Sequence, residues 1–313
     1  MSFIKPILPT LTNLVPKGSE WHFEIKYDGF RCQLHWDQEN LILYSRNGKD
    51  LGYYFPELKQ LQVLFTKGFA NNSFVLDGEL CCLDQNGVPN FDAIQYRGRL
   101  KNETKRVAAA KDHPATFLAF DLLYFNNEKT LDLNYIERKR KLISYFSQID
   151  VYGKFLSVIK QEENFKILWN KVVSQNHEGV IAKHTSSKWI PGKRTELWKK
   201  IKNYKKVKII VTGYHIDNGY FIASVYNENK IMNVGSFIHG LTPDQQLALK
   251  TIIDRNAITK KNNSVLMEAR IVVVLNIIGL QNGTLREPRF VSFELNEPVE
   301  ECTWELLKMN ASN

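Results

Sequence analysis

The lysine at position 26 carries the clearest chemical signal in the sequence. It lies in the segment Glu24–Arg31, Glu-Ile-Lys-Tyr-Asp-Gly-Phe-Arg, where a predicted strand ends and a tight turn at Asp28-Gly29 leads into a second strand. Such a turn can present a lysine at the edge of a sheet, facing a pocket. A lysine there acts as a nucleophile when neighbouring cations or burial lower its pKa. Alone, the same pattern is also typical of a surface hairpin, so the accompanying residues decide its meaning.

Carboxylates recur at places where a charge without a partner would be costly. Asp77-Gly78-Glu79 lies inside the apolar run 74–83, Asp121 lies inside the buried strand predicted for 116–124, and Glu178 stands where another strand begins. A carboxylate that is buried without a partner destabilises a fold. Several of them in one chain therefore predict a site that uses negative charge. Carboxylates suit Mg²⁺, which keeps several of its waters when it binds to a protein.

Basic and aromatic residues complete the set of chemical candidates. Arg46 lies in Ser45-Arg-Asn-Gly48, directly after a predicted strand, and Phe120 lies inside another. Lys200 and Lys202 alternate along the segment Trp-Lys-Lys-Ile-Lys, so they share one face of a strand. Arginine binds phosphate through a fork geometry that lysine lacks, whereas lysines supply compact positive charge. The combination indicates a site for a phosphorylated ligand.

In their order along the chain, these segments resemble the motifs of the covalent nucleotidyltransferases, which comprise DNA ligases, RNA ligases and mRNA capping enzymes. Residues 26–31 match the KxDGxR lysine motif of that superfamily in full. The segment 120–124 and the residues around Trp198 are more similar to DNA ligases than to capping enzymes. The short N-terminus and the segment Leu285–Phe290 resemble, within that group, the ligase module of bacterial DNA ligase D. The later motifs are matched by SRNG at 45–48, DGE at 77–79, AFDLLY at 119–124, EGV at 178–180 and WKKIK at 198–202.

The resemblance implies a nucleotide pocket that is built from five of these residues. Lys26 would attack the α-phosphate of ATP, form a phosphoramide with AMP and release pyrophosphate. Glu24 would help to recognise adenine, and Phe120 would stack on the purine ring. Arg31 and Arg46 would hold the ribose and a phosphate.

The resemblance assigns four further residues to charge stabilisation. Glu79 and Glu178 would bind Mg²⁺ or Mn²⁺, directly or through water. Lys200 and Lys202 would neutralise negative charge on the α-phosphate as it becomes pentavalent. ATP and a divalent cation are therefore the implied cofactors.

One motif of that superfamily departs from its usual form. Members carry a cationic RxDK motif near the end of the OB domain, where it orients the pyrophosphate leaving group. Here the chain continues from Arg289-Phe290 as Val-Ser-Phe-Glu-Leu-Asn-Glu-Pro298, with acids where the cations would lie. The departure implies either slow self-adenylation or a substitute cation such as Lys205 or Lys206, and the sequence leaves both open.

The predicted elements place these motifs in an α+β chain of two domains. Strands dominate residues 1–203, with helices at 56–65, 135–146 and 164–175, and there we expect an antiparallel-sheet, ATP-grasp-like nucleotidyltransferase (adenylation) domain. Residues 204–313 show three strands, a helix from Pro243 with Thr242 as its N-cap, and two more strands. This order is typical of an OB-fold β-barrel. The polar segment 203–206 is the expected hinge.

Charge and composition restrict the partners and the compartment. The net charge is +9, and nine basic residues but only one acid, Glu196, lie between Lys188 and Lys208. A polyanion is the simplest partner for such a stretch. Because no apolar run approaches the ~20 residues of a membrane span, we expect a monomeric cytoplasmic protein without a membrane association. The cysteines are expected to be reduced core residues: Cys32, Cys81, Cys82 and Cys302.

These observations favour an ATP-dependent DNA ligase that seals 3′-hydroxyl/5′-phosphate nicks through a lysyl-AMP intermediate. Nicked duplex DNA would be the substrate, and binding should be insensitive to sequence and sensitive to salt. The resemblance to DNA ligase D implies a role in double-strand break repair by end joining, association with the nucleoid, and the bacterial Ku protein as a partner. Two alternatives remain open: a non-catalytic DNA-binding or scaffold module, and an RNA ligase or capping-type nucleotidyltransferase.

Overall fold

The computed structural model describes residues 2–146, 155–261 and 263–312. The chain forms two compact units, Met1–Asn203 and Tyr204–Asn313. Each unit contains antiparallel sheets with helices packed against them, which confirms the α+β class. None of the helices in these ranges has the length and apolar character that a membrane crossing needs.

The first unit is built on two sheets. Its strands are β1 (Leu8–Leu11), β2 (Trp21–Lys26), β3 (Phe30–Trp36), β4 (Leu41–Ser45), β5 (Phe74–Cys82), β6 (Ala115–Phe125), β7 (Glu128–Lys129), β8 (Leu156–Val158), β9 (Gln161–Glu162), β10 (Gly179–His184) and β11 (Arg194–Lys202). Its helices are α1 (Lys59–Gly68), α2 (Phe91–Arg97), α3 (Glu103–Asp112), α4 (Tyr135–Phe146) and α5 (Phe165–Ser174), with a 3-10 turn at Pro56–Leu58 before α1. The helices predicted at 56–65, 135–146 and 164–175 are thereby confirmed, whereas α2, α3 and β1 were not predicted.

One sheet has the strand order β1-β11-β10-β2-β9. All neighbours in it are antiparallel except β1 and β11, which run parallel. The amphipathic helix α5 covers one face, where Leu168 and Val172 pack against Phe23, Ile25 and Val180. Its other face is therefore available for polar chemistry.

The second sheet of this unit has the order β4-β3-β5-β6-β7, and β8 adds to β6 in parallel. Apolar residues alternate along its strands, and one face packs against α1 and α4. Phe65, Phe69, Phe74 and Phe146 form an aromatic cluster at this interface, with ring centroids between 5.0 and 6.1 Å apart. Burial of such rings is the main stabilising contribution to the core.

Three of the buried carboxylates that the sequence singled out form ion pairs with cationic side chains: Asp77, Asp121 and Glu178. Asp121 accepts two hydrogen bonds from the Arg138 guanidinium, at 2.8 and 3.0 Å, and both side chains are fully buried. Asp77 is paired in the same way with Arg31. Paired, fork-shaped contacts of this kind offset the cost of burying both charges. Asp121 is therefore a structural anchor between β6 and α4.

The second unit is an antiparallel sheet with two helices. Its strands are β12 (Lys205–His215), β13 (Phe221–Asn227), β14 (Lys230–Phe237), β15 (Ala257–Lys261), β16 (Ser264–Ile277), β17 (Gly279–Gln281), β18 (Thr284–Arg286) and β19 (Arg289–Glu294), and its helices are α6 (Pro243–Arg255) and α7 (Trp304–Ser312). The main sheet has the order β14-β13-β12-β16-β15, with β19 also paired to β16, while β17 and β18 form a separate hairpin. The predicted three strands and helix are confirmed, whereas the described residues after α6 form five strands and the helix α7 where two strands were predicted.

Two local predictions in this unit have different outcomes. Thr242 is the N-cap of α6 and forms a capping box with Gln245, as the sequence indicated. The expected hinge over 203–206 stays a prediction, and its last two residues, Lys205 and Lys206, pair with Ile277 and Asn276 in the sheet.

All four cysteines are buried and free, as expected.

Candidate active site

A cavity of about 500 Å³ opens between the two sheets of the first unit. Seven of the nine predicted site residues line it: Glu24, Lys26, Arg31, Arg46, Glu79, Phe120 and Lys200. The other two, Glu178 and Lys202, are buried behind Lys26. The structure therefore brings together residues from positions 24 to 202, as the order of the motifs predicted.

The register of three strands explains how the charged residues meet. In the β10–β2 and β10–β11 pairs, Gly179 lies opposite both Lys26 and Lys202. Residues directly opposite each other in an antiparallel sheet point to the same face. Because Gly179 has no side chain, the carboxylate of Glu178 can occupy the space between the two lysines. The Lys26 ammonium donates a hydrogen bond to Glu178 Oε2, and Lys202 Nζ lies 3.4 Å from Glu178 Oε1.

A glycine is required at position 179. Its φ is +152°, which L-residues with a side chain rarely adopt, and a Cβ atom there would lie 2.1 Å from the carbonyl oxygen of Ile201. That oxygen belongs to the neighbouring strand β11 and cannot move without disturbing the sheet. The glycine of the EGV motif therefore allows β10 to begin close to β11 and places Glu178 directly before β10.

Carboxylates dominate the electrostatics around Lys26. Burial disfavours its ammonium form, but Glu178 and Glu79 outweigh burial and raise the pKa of Lys26 above its ordinary value. This corrects the expectation that neighbouring cations or burial lower the pKa of this lysine. In this structure Lys26 is an ammonium paired with the Glu178 carboxylate. It becomes a nucleophile only when this ion pair is broken and the ammonium loses a proton.

Glu79 is the second carboxylate near Lys26. It lies on β5 opposite Arg31 and lines the cavity. Burial raises the pKa of Glu79 to about 8, although Lys26 and Arg31 act in the opposite direction. Within the described ranges no three His, Cys, Asp or Glu side chains form a metal cluster. Glu79 on the cavity wall and Glu178 behind Lys26 nevertheless fit Mg²⁺, which commonly takes one or two protein carboxylates and completes its coordination with waters and substrate phosphates.

The two predicted arginines are positioned differently. Arg31 donates to both oxygens of Asp77, at 2.7 and 3.4 Å, and to the carbonyl oxygen of Ile7 at 2.8 Å, so its planar group is fixed in the cavity wall. Arg46 lies in the turn after β4, which is closed by a hydrogen bond of 2.9 Å from the Gly48 amide to the Ser45 carbonyl. This turn directs Arg46 to the cavity lining.

Glu24 is clamped at the back of the cavity by three residues that the sequence reasoning missed. Lys139 Nζ and Tyr135 Oη lie 2.6 and 2.8 Å from Glu24 Oε1, and Lys183 Nζ lies 2.6 Å from Glu24 Oε2. Burial raises the pKa of Glu24, but Lys139 and Lys183 outweigh burial, so the net shift is downward. Lys183 had a detectable signal, because it lies on the strand that directly follows Glu178 and shares one face of that strand with Ile181. Tyr135 and Lys139 lie on α4, and no sequence motif marked either of them as a site residue.

Phe120 lies on β6 with its ring inside the cavity. The guanidinium carbon of Arg31 is 5.3 Å from the ring centroid, and Lys183 Nζ is 4.5 Å from it. Trp198 meets the ring edge to face at 6.3 Å between centroids. An aromatic ring with cations around it in a cavity wall is suited to stacking on a planar ligand.

Comparison with known proteins agrees with this arrangement. Residues 6–202 match the family model described as the ATP dependent DNA ligase domain. The chain is 34% identical over 304 residues to the bifunctional non-homologous end joining protein LigD of Bacillus subtilis, which covers 95% of this chain and 50% of that protein. It is 30% identical over 227 residues to the multifunctional non-homologous end joining DNA repair protein LigD of Mycobacterium tuberculosis, covering 72% of this chain and 26% of that protein.

A solved structure shares the fold across almost the whole chain. The ligase domain of M. tuberculosis LigD superposes with a TM-score of 0.55 at 24% identity, covering 96% of this chain and 98% of that one. The two-unit architecture is therefore that of a nucleotidyltransferase domain followed by an OB-fold domain. This chain spans half or less of the length of the LigD proteins it matches. From the family match, the motif order and the cavity together, the chain belongs to the ATP-dependent DNA ligase family.

Proposed function

We propose that this chain transfers AMP from ATP to Lys26 and uses that AMP to seal nicks in duplex DNA. The carrying observation is the convergence of Lys26, Glu178, Glu79 and Lys202 at one end of a cavity that is large enough for a nucleotide. In this proposal residues 1–203 are the adenylation domain and residues 204–313 the OB-fold domain.

Release of Lys26 from Glu178 is the event that starts the reaction. Glu178 and Glu79 would bind Mg²⁺ or Mn²⁺, whose positive charge would offset that of the phosphates. Once these carboxylates are engaged, their pull on the Lys26 ammonium weakens and its pKa falls. The Lys26 ammonium loses one proton to solvent, and the amine attacks the α-phosphorus of ATP. The N–P bond forms as the bond to the pyrophosphate oxygen breaks, pyrophosphate leaves, and the nitrogen loses a second proton to give the phosphoramide. Lys200 and Lys202 would stabilise the charge that develops on the α-phosphate.

The remaining predicted residues would bind the nucleoside. Phe120 would stack on adenine, and Glu24, fixed by its two lysines, would recognise the edge of the base. Arg46 would contact a phosphate or the ribose from the cavity lining, while Arg31, held by Asp77, offers its remaining surface to the ribose. These roles use the side chains in the positions where the structure holds them.

The later steps would transfer AMP to the 5′-phosphate of a nick and join it to the 3′-hydroxyl. The LigD proteins of B. subtilis and M. tuberculosis carry names that refer to non-homologous end joining, which supports double-strand break repair as the process. In this proposal the protein acts as a monomer on nicked duplex DNA at the bacterial nucleoid, with the Ku end-binding protein as its partner. The basic stretch between Lys188 and Lys208 supports a salt-sensitive, sequence-independent contact with the DNA backbone.

Intact-mass measurement tests the first step. After incubation with ATP and Mg²⁺, the wild-type chain should gain roughly 329 Da, the mass of one AMP in phosphoramide linkage, and pyrophosphate should remove it. Lys26→Ala should show no gain, whereas Lys199→Ala, a variant of a lysine on the same sheet that does not line the cavity, should match the wild type. A normal adduct on Lys26→Ala would refute the proposal. Comparison of ATP with GTP, and of nicked DNA with RNA, separates the RNA ligase and capping alternatives.

A second candidate function, a DNA-binding or scaffold module without turnover, is favoured by the acidic residues in place of the RxDK motif. Glu294 ends β19 and accepts a hydrogen bond from Ser292 at 3.1 Å, and Glu297 pairs with Lys208 at 2.7 Å. Complete nick sealing by the purified protein, abolished by Glu178→Ala, would exclude this alternative. Loss of the adduct on Lys206→Ala would identify that lysine as a substitute for the missing cation.

A further inference from the structure

Two buried lysines contact Glu24. Lys139 and Lys183 each place Nζ 2.6 Å from an oxygen of Glu24, and neither is more than 1% exposed. One lysine is enough to balance one carboxylate, so this cluster carries a surplus of positive charge. Because burial of an ammonium is costly, the second lysine calls for a reason beyond neutralisation of Glu24.

The two lysines differ in their relation to the cavity. Glu24 and Lys183 line the cavity, whereas Lys139 does not. Lys139 lies on α4, behind Glu24, and also donates a hydrogen bond to the carbonyl oxygen of Ile159 at 2.6 Å. Groups of the protein thus fix Lys139 on both sides, and a ligand in the cavity does not compete for its contact with Glu24.

Lys139 contacts one oxygen of Glu24, and the other oxygen lies on the side of the cavity. Glu24 Oε1 accepts hydrogen bonds from Lys139 and Tyr135, which use both of its lone pairs. Lys183, which lines the cavity, lies beside Glu24 Oε2. Glu24 is purely an acceptor for a ligand only while its carboxyl group is ionised, because a protonated carboxyl group offers an O–H donor.

Opposing effects decide whether Glu24 carries a proton. Burial raises the pKa of Glu24, whereas Lys139 and Lys183 lower it, and the net shift is downward. Burial lowers the pKa of Lys183 to about 8; Glu24 opposes that shift and Lys139 adds to it. Without Lys139, burial would oppose Lys183 alone, and the pKa of Glu24 would rise.

The other groups around Glu24 are neutral or paired within the protein. Burial raises the pKa of Tyr135 well above its usual range, so this side chain stays a neutral donor. Gln161 on β9 lies opposite Glu24 and carries no charge. The charged groups nearby form their own ion pairs: Asp121 with Arg138, and Lys26 with Glu178. The ionisation of Glu24 therefore depends most directly on Lys139.

We propose that Lys139 is a positioning residue for base selection, which holds Glu24 in its ionised, acceptor-only form so that the cavity requires a purine with an amino group on C6. This inference rests on the proposed function, in which Glu24 recognises the edge of the base. A carboxylate binds an amino donor more strongly than a neutral acceptor does. A nucleotide without that donor would leave a buried carboxylate oxygen with one partner fewer, which is costly.

A nucleotide that lacks only the 6-amino group tests this inference. Purine riboside triphosphate has a hydrogen on C6 and is otherwise identical to ATP. The measurement is kcat/KM for adduct formation on Lys26, expressed as the ratio of ATP to purine riboside triphosphate. It is made from about pH 6 to about pH 7.5, below the pKa of about 8 of Lys183. Titrations that affect the transfer step itself act on both nucleotides and cancel in this ratio.

Two substitutions on α4 separate the charge of Lys139 from other features of the helix. Lys139→Met keeps an unbranched side chain and removes the charge. Arg140→Met, which removes an exposed cation from the next position of the same helix, is the matched control and should behave as the wild type.

The wild type should prefer ATP by roughly 10- to 100-fold at every pH, because Glu24 stays ionised. In Lys139→Met the preference should fall to roughly 2- to 10-fold at about pH 6, where Glu24 is protonated, and recover as the pH rises and the carboxyl group ionises. A Lys139 that only supports the fold would give a different result. Lys139→Met would then slow both nucleotides equally and keep the wild-type ratio at every pH, which would overturn the inference.

A charge-matched double variant keeps the inference testable if Lys139→Met does not fold. Glu24→Gln combined with Lys139→Met removes one charge of each sign and preserves the net charge of the cluster. Its preference for ATP should be roughly 2- to 10-fold and independent of pH, because an amide is neutral. A preference of wild-type size in this variant, or equal use of both nucleotides by the wild type, would refute the inference. Absence of any adduct on the wild type would instead refute the proposed function.

Discussion

Replacement of Gly179 by alanine should destabilise the first unit and abolish adenylation, although it adds only one methyl group. The new Cβ would lie 2.1 Å from the Ile201 carbonyl oxygen and 2.9 Å from the Lys202 Cα, both of them backbone atoms of β11. Relief of that overlap requires β10 and β11 to separate. Such separation would displace Glu178 from Lys26, because Glu178 directly precedes the substituted residue.

The magnitude follows from two separate terms. Forcing a residue with a side chain to keep a φ of +152° costs about 1–3 kcal/mol. Overlap with a backbone that cannot move freely adds about 1–3 kcal/mol. The free energy of unfolding of the first unit should therefore fall by roughly 2–6 kcal/mol. Gly87→Ala is the matched control, because Gly87 has a φ of +77° and no atom within 4 Å of the new Cβ. It should lose only about 1–2 kcal/mol, from the left-handed backbone conformation.

Urea unfolding followed by tryptophan fluorescence measures both variants. The tryptophans at positions 21, 36, 169, 189 and 198 lie in the first unit and only Trp304 lies in the second, so the signal reports mainly on the unit of interest. Adduct formation by intact mass gives the functional readout. Equal unfolding free energies for Gly179→Ala and Gly87→Ala, together with a wild-type rate of adduct formation on Gly179→Ala, would refute the reasoning.

Three further predictions concern charge. Glu178→Gln should slow Lys26–AMP formation by about 100-fold or more in single-turnover assays, because it removes negative charge beside both Lys26 and the proposed cation. The control is Glu196→Gln, at an exposed carboxylate, which should leave the rate of Lys26–AMP formation unchanged. Equal rates for the two variants would contradict this prediction. Burial lowers the pKa of His35 from 6.5 to about 4, so this group contributes stability that is fully present above pH 6.5 and is lost, by about 3 kcal/mol, towards pH 4. Because burial lowers the pKa of His177 to about 4 as well, His35→Gln should remove about half of the histidine-dependent decline in urea titrations at several pH values. Glu297→Lys should speed adduct formation by about tenfold if the acid in place of the RxDK motif limits the first step, and an unchanged rate would assign the limit elsewhere.

Local sequence pattern was sufficient for most strands and for seven residues that line the cavity, but it missed Tyr135, Lys139 and Lys183 around Glu24. Strands such as β2 and β3 alternate apolar and polar residues, and the strand, turn and second strand predicted around Lys26 are present. Helix α3 was missed because only Arg106 and Ala109 are buried on it, which leaves no apolar stripe to recognise. Helix α2 was missed because it has only seven residues and follows a polar turn, so the sequence there was equally consistent with a loop.

The sequence by itself determined which residue types could perform nucleotidyl transfer and in what order they occur, because strand periodicity and short motifs are properties of neighbouring residues. The tertiary structure alone decided the electrostatics. That Glu178 binds Lys26 and raises its pKa depends on a strand register between residues 152 positions apart. That Lys139 and Lys183 share Glu24 depends on how α4 packs behind the cavity and on the pairing of β10 with β2, at separations of 115 positions for Lys139 and 159 positions for Lys183. Charge interactions act through distance in space, and distance in space between remote residues is set only when the sheets and helices have packed.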